Sequence, residues 1–185
     1  MNHSDKSEYL NGLLDIPELN VIDMDEEPNT GDYVFYTTIK FPSTNCPYCN
    51  SDKSVKFGKH KRFLRDLNIR GHRVGISVTA SRHRCNNCNK TFSDKLNCAD
   101  ETGRTTLRLK KYVMIEALSK PFLQIEKDLD IKATTIKRYF KEYVATKEKE
   151  YIRYSPKVLG IDEAHLSKNM RGVIVDVENH NHMPI

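Results

Sequence analysis

Apolar residues recur along the 185-residue chain with two different periods, and the place where the period changes divides it. Glu8 to Leu14 fits a short helix. Val21 to Asp25 and Tyr33 to Ile39 are strand-like and flank the turn-rich Asn29-Thr30-Gly31-Asp32, which predicts an acidic hairpin leading into Cys46. Beyond Cys49, Val55-Lys56-Phe57 and then Val74, Ile76 and Val78 alternate with polar or small residues, the period-2 signature of half-buried strands. After Gly103 the spacing turns helical. Leu109, Tyr112, Val113 and Ala117 form one stripe that Ser119-Lys120-Pro121 stops. Phe122, Ile125 and Leu129 mark a second helix, and Ile136, Phe140 and Tyr143 share one face of a third. Lys147-Glu148-Lys149-Glu150 reads as the solvated end of that helix or as a linker before Ser155-Pro156. Val158-Leu159-Gly160-Ile161 then starts a further strand.

A chain of this length forms one domain or two or three small modules. Its apolar runs, such as Tyr33 to Tyr36 and Val173 to Val175, fall far short of the roughly 20 residues of a membrane span. The opening residues have neither the basic stretch nor the apolar run of a secretion signal, so a cytoplasmic protein is expected. Charge is uneven. Residues 1–45 hold 2 Lys/Arg against 9 Asp/Glu, whereas residues 46–160 hold 26 against 12. Basic charge gathered in one stretch is the footprint of a phosphate-backbone binder, because each neutralised phosphate releases counterions.

Cys46-Pro47-Tyr48-Cys49 and Cys85-Asn86-Asn87-Cys88 are two C-x-x-C knuckles, a spacing that lets two thiolates from one tight turn reach the same tetrahedral zinc. The 35 residues between them must fold back for the pairs to meet, and the alternating strands supply that return. Disulfides and unpaired structural cysteines are the competing readings, and a cytoplasmic setting disfavours the first. A closed site of four cysteines is structural, since no position stays open for water. Cys98 stands apart as a small buried residue or a free thiol, and His60, His72 and His83 are poorer ligand candidates beside four thiolates. Near the knuckles lie Lys59-His60-Lys61-Arg62, Arg65, Arg70, His72-Arg73 and Arg82-His83-Arg84. Lys61, Arg62, Arg65 and Arg73 are expected to contact DNA phosphates; the alternative is pairing with Asp52, Asp66 or Asp94.

Between Phe122 and Tyr143 the order of residues fits a helix-turn-helix. Ile125, Leu129, Ile131 and Ile136 fall where the two helices pack. Thr134, Arg138 and Lys141 then lie at i, i+4 and i+7 on the opposite side of the second helix, with Thr135 and Lys137 beside them, facing the major groove. Glu126 stands where a small residue is usual and Asp130 where a turn glycine is usual, although aspartate tolerates the left-handed conformation better than most residues. Further on, Val158 to Ala164 delivers Asp162 on an apolar strand, and Gly172 to Glu178 is its simplest antiparallel partner after a turn at Lys168-Asn169-Met170-Arg171.

Zinc knuckles, helix-turn-helix and aspartate strand, in that order over residues 41–185, resemble the zinc-finger-bearing DDE transposases of the ISL-three insertion-sequence family. The specific parts are Cys46-x2-Cys49, Arg65-Asp66-Leu67, Arg84-Cys85-x2-Cys88 with Thr91-Phe92, and Leu159-Gly160-Ile161-Asp162-Glu163. The resemblance implies a protein that recognises the terminal inverted repeats of its element in duplex DNA. It further implies cutting and joining of DNA by a Mg2+-dependent Asp-Asp-Glu triad in a ribonuclease-H-like core. By motif position Asp162 matches the first triad aspartate; Asp176 matches no triad member, and the later aspartate and glutamate have no counterpart here.

The fold expected is therefore α+β and multi-module. An acidic N-terminal hairpin segment (1–40) precedes a β-rich zinc ribbon with four cysteine ligands (41–98), a helix-turn-helix (104–150) and the first β-hairpin of an incomplete ribonuclease-H-like domain (156–185). The function expected is the DNA-binding front of a transposase cut off as its catalytic domain begins, with structural Zn2+ and with Mg2+ relevant only to a full-length enzyme. A second copy of the chain is a further candidate partner. The alternative class is a zinc-ribbon and helix-turn-helix transcription regulator that dimerises through residues 156–185, and a weaker third is a protein-interaction module scaffolded by the ribbon.

Overall fold

The computed structural model describes residues 3–100, 103–150, 157–166 and 169–178. The fold is mixed α+β, and the chain divides into two compact units, residues 1–143 and 144–185. Among the described residues no helix is long and apolar enough to cross a membrane.

In the first unit a helix α1 (His3–Leu14) leads into strands β1 (Leu19–Glu26) and β2 (Tyr33–Ile39). The first knuckle follows, then the long hairpin β3 (Ser54–Ile69) and β4 (His72–Cys85), and after the second knuckle the short β5 (Thr91–Ser93). Arg70 (φ 53°) and Gly71 (φ 85°) turn the hairpin between the paired Ile69 and His72. Two consecutive positive φ values match the right-handed twist of the flanking strands. The strand order is β1-β2-β4-β3. β4 is the interior strand: antiparallel to β3 along its length and, on its other side, parallel to β2 over Val74–Thr79 and paired with β5 over Arg82–Arg84.

One face of this sheet is the core. Phe35, Leu64, Val74, Ile76 and Val78 are fully buried there, together with Val21, and Leu10 and Leu14 of α1 close over them one helical turn apart. α1 is also fixed by polar contacts at a bulge in β1. The Val21 N–H donates to Asn11 Oδ1 at 2.8 Å and the Ser7 hydroxyl donates to the Val21 carbonyl at 3.1 Å, so the helix takes up backbone groups of an edge strand. The acidic opening segment is thus a helix and a hairpin built into the same sheet as β3 and β4, and that sheet runs across residue 40, where the sequence suggests a module boundary.

Three helices follow, α2 (Leu107–Glu116), α3 (Phe122–Leu129) and α4 (Ala133–Glu150). Leu109, Val113, Ile125, Leu129, Ile131, Ile136 and Tyr139 form their shared core. Two expectations need correction. Tyr112 is 41% exposed, because the buried stripe of α2 runs through Leu109 and Val113 alone. On α4 the most buried aromatic residue is Tyr139, not Phe140 or Tyr143. α4 packs on two sides: Phe140 meets Phe122 of α3, while Tyr139 turns to Thr105, whose hydroxyl lies 2.7 Å from its own.

The sheet and the helices are joined at Arg65-Asp66-Leu67. Asp66 is 1% exposed, accepts from the Thr106 hydroxyl at 2.6 Å and from Arg108 Nε at 2.9 Å, and also meets the Arg108 Nη2. Arg108 carries on to the carbonyls of Leu14 (2.7 Å) and Asp15 (2.9 Å) at the end of α1. Arg65 donates to the Leu129 carbonyl at the end of α3, and Leu67 packs on the helical core.

The second unit contains the end of α4 and an antiparallel hairpin, β6 (Leu159–Leu166) and β7 (Asn169–Asp176), with Asp162 opposite Val173. The strands are longer than the sequence suggests: Asn169, Met170 and Arg171, expected in the turn, are paired residues of β7. Lys168 and Ser155-Pro156 lie outside the described residues.

Removing the Asp66 carboxylate strands a guanidinium and a hydroxyl at the junction. With about a third of the Arg108 side chain still in solvent, we expect Asp66→Ala to cost about 3 kcal/mol, the lower end for breaking a buried pair. Urea unfolding of the zinc-loaded protein checks this; an unchanged midpoint would show that the junction does not depend on the pair.

Candidate metal centre and nucleic-acid surface

The two knuckles repeat one local geometry. The Cys46 N–H donates to the Ser51 carbonyl at 2.8 Å and the Cys85 N–H to the Lys90 carbonyl at 2.9 Å, each closing a turn over its own C-x-x-C. The residue after each second cysteine, Asn50 (φ 56°) and Asn89 (φ 58°), is left-handed, and asparagine accepts that conformation readily. The β3–β4 pairing brings the turns together, since Ser54 at the start of β3 lies opposite Cys85 at the end of β4.

The four sulfurs lie within 4.8 Å of one another, with Cys46 Sγ 3.7 Å from Cys88 Sγ and Cys49 Sγ 3.6 Å from Cys85 Sγ. A tetrahedron with Zn–S bonds of about 2.3 Å has edges of roughly 3.8 Å, so the donor set fits zinc. Its protonation points the same way. The backbone N–H of Ser51, then Asn87, hold the Cys49 thiol down to about 6. The Lys90 amide favours the Cys88 thiolate, yet burial and the other cysteines push that thiol up to about 11. Four sulfurs this close cannot all be thiolates without a cation among them, and a zinc ion held by Cys46, Cys49, Cys85 and Cys88 would supply it.

Behind the sulfurs a small cluster of Cys46, Cys85 and Phe92 is braced by Asp94, whose carboxylate takes the N–H groups of Ser43 (2.9 Å) and Ser81 (3.1 Å) and lies 3.0 Å from His83 Nε2. His83 stacks on Phe92, and His72 turns to the Thr30 carbonyl. Cys98 is half-buried away from the centre, its thiol pushed up to about 12 by burial and by Glu18 beside it.

Several of the expected DNA-contacting cations brace the fold. Arg62 donates to the carbonyls of Asp100 and Gly103, Arg65 to the Leu129 carbonyl and to Asn68 Oδ1. Arg73 pairs with Asp130 at 2.5 Å and with Asp32 at 3.3 Å. Lys61 is exposed. On α4, Thr134, Lys137, Arg138 and Lys141 are exposed and Thr135 is half-buried. The Arg138 guanidinium lies 4.7 Å from the Tyr139 ring centre and 3.2 Å from Glu142 one turn on. Asp130, between α3 and α4, is left-handed (φ 51°, ψ 45°), the conformation a turn glycine would take.

A cleft of about 800 Å³ separates the start of α4 from the sheet, with Thr135, Arg138 and Arg104 on one side and Phe63, Gly75 and Val34 on the other. Phe63 and Arg104 escaped the sequence reading, although Lys59, Lys61 and Phe63 alternate with His60, Arg62 and Leu64 as a strand's outer face would. In the second unit Asp162 is exposed and accepts the Glu163 N–H at 2.8 Å. Among the described residues the cysteine quartet is the one group of three or more His, Cys, Asp or Glu side chains gathered closely enough to hold a metal ion.

Reduced, purified protein should carry one zinc per chain, and Cys85→Ser should lose it. Because a small ribbon takes much of its folding free energy from its metal, chelation should also unfold the module, seen as new fast-exchanging amides in β5 and the knuckles. Metal analysis showing no stoichiometric zinc would overturn the assignment.

No curated protein and no solved structure matches the chain. Residues 42–88, which contain both cysteine pairs and the β3–β4 hairpin between them, match the family model of the zinc-finger of transposase IS204/IS1001/IS1096/IS1165.

Proposed function

We propose that this protein is the DNA-binding front part of an insertion-sequence transposase, which recognises terminal inverted repeats by laying α4 in the major groove. The observation that carries this reading is the matched zinc-finger region followed by a helix pair whose left-handed Asp130 turn leaves Thr134, Lys137, Arg138 and Lys141 exposed on the second helix. The cysteine centre is the structural part, pinning the ends of β3 and β4. Arg138 is the base-reading side chain, because a guanidinium can bond both acceptors of a guanine edge. Thr134, Thr135, Lys137 and Lys141, with Lys61 of the hairpin, contact backbone. Arg65 and Arg73 hold the turn before the reading helix, Arg62 holds the segment before α2, and all three reach phosphates only at the rim.

Arg138→Ala should flatten the preference for an inverted-repeat duplex over random duplex, a loss of about 1–3 kcal/mol of discrimination. A titration at fixed salt that leaves the preference unchanged would move recognition elsewhere.

The hairpin β6–β7 is read as the opening of a ribonuclease-H-like core, with Asp162 in the place of the first triad aspartate. Two-metal phosphoryl transfer needs several carboxylates around both ions, and a lone aspartate holds Mg2+ weakly because that ion keeps its waters. The 185-residue protein should therefore not nick or join inverted-repeat DNA with Mg2+ or Mn2+. Cleavage that disappears in Asp162→Asn would contradict this, since a contaminating nuclease would be indifferent to the change.

A further inference from the structure

The face of the main sheet opposite α1 is open along much of its length. Three register rows cross it: Phe63, Ser77 and Tyr36; Lys61, Thr79 and Thr38; and Lys59 with Ser81. The middle positions, on β4, are small and half-buried, whereas Phe63 (56%) and Tyr36 (37%) are exposed on either side. Neighbouring strands are about 4.8 Å apart, so the two aromatic residues stand roughly 10 Å apart across a shallow trough. The Phe63 ring rests on the backbone of Gly75: a Cβ there would come within 2.3 Å of Phe63 Cζ. On the other side Tyr36 has Asp25 beside it, whose hydrogen bonding and charge raise the phenol above its ordinary pKa. Exposed cations of this face lie on β3, Lys59 and Lys61, and the far end of the trough opens into the cleft lined by Arg104. Asp23 and Asp25 border the β1 side.

Ring faces are of little use against a duplex, whose bases are already stacked on one another. They suit unpaired bases, and lysines farther along the same β-strand as one ring suit the phosphates of the same nucleic-acid strand. We infer that this trough binds an unpaired DNA strand, with bases stacked on Phe63 and Tyr36 and phosphates held by Lys59 and Lys61. It is a second DNA surface, independent of duplex reading by α4 and continuous with it through the cleft.

The test uses the zinc-loaded 185-residue protein and a fluorescein-labelled oligothymidine. Phe63→Ala should weaken binding roughly 5- to 150-fold, the range for losing one base–aromatic stack. Phe63→Leu, which keeps an apolar contact on Gly75, should weaken it comparably, and Gly75→Ala should too by lifting the ring from its seat. Lys61→Ala should reduce the salt dependence of binding. The chain has no tryptophan, so Phe63→Trp places a single reporter whose emission the bound oligothymidine should quench. Equal binding of an oligonucleotide with abasic sugars, unchanged affinity in Phe63→Leu, or an unquenched Trp would each overturn the inference. Phe63→Leu should leave the preference for inverted-repeat duplex intact, so failure of the helix to read duplex and failure of the trough to hold a single strand are separately visible.

Discussion

The contact on which the first unit depends is the Asp66 carboxylate with Arg108. Strand alternation sends Asp66 to the α1 side of the sheet and its neighbours Arg65 and Leu67 to the other, so three consecutive residues serve different partners. Asp66 holds the arginine that ends α1. Arg65 takes the last carbonyl of α3 and Leu67 enters the helical core. The backbone joins in, because the Arg65 N–H donates to Arg104 and its carbonyl accepts from Thr106, covering the exposed edge of β3 where the helices begin. Thr106 also caps α2 through its hydroxyl. A carboxylate buried this deeply would be costly alone. It is tolerable because an arginine and a threonine satisfy it from two directions, and that requirement sets where α2 starts relative to the sheet.

β4 carries the second constraint. Paired with β3 on one side and with β2 and then β5 on the other, it runs from the Arg70-Gly71 turn to Cys85, and so places two metal ligands at one end and the aromatic trough over its middle. The metal centre has a small apolar cluster of its own, Cys46, Cys85 and Phe92, and relies on Asp94 to tie the incoming chain at Ser43 to β4. Such a cluster is too small to order two turns unaided, which is why the cysteines are gathered where only a cation can settle their charge.

What the sequence made legible was local. The C-x-x-C spacing located the centre, the period change after Gly103 located the helices, and the tolerance of aspartate for a left-handed turn anticipated Asp130. What it hid was pairing at a distance. β2 lies parallel to β4 although a knuckle and a whole strand separate them, and no periodicity reports that partner. Tyr139 was missed because a helix wedged between two neighbours buries a wider face than one stripe. The role of the arginines was hidden most deeply: a cation that caps a carbonyl 64 positions away has the same letter as one that meets a phosphate.

That ambiguity changes the meaning of the charge imbalance. The basic middle looked like surplus charge, and the acidic opening like a segment of unreadable role. Asp32 from that opening pairs with Arg73, and Glu18 binds the backbone of Asn97 and Cys98, so two of its carboxylates serve the later part of the same unit. Asp23, paired with Lys6 of α1 at 3.0 Å, and Asp25 stand at the β1 edge, Lys59 and Lys61 at the β3 edge. The sheet is therefore polarised across its width, and a polyanion approaching its open face is drawn toward β3 and away from β1. The same polarity leads toward the cleft where Arg104 and Arg138 stand. The position of positive charge on this molecule, more than its amount, makes the side shared by the hairpin and α4 the one that favours a polyanion.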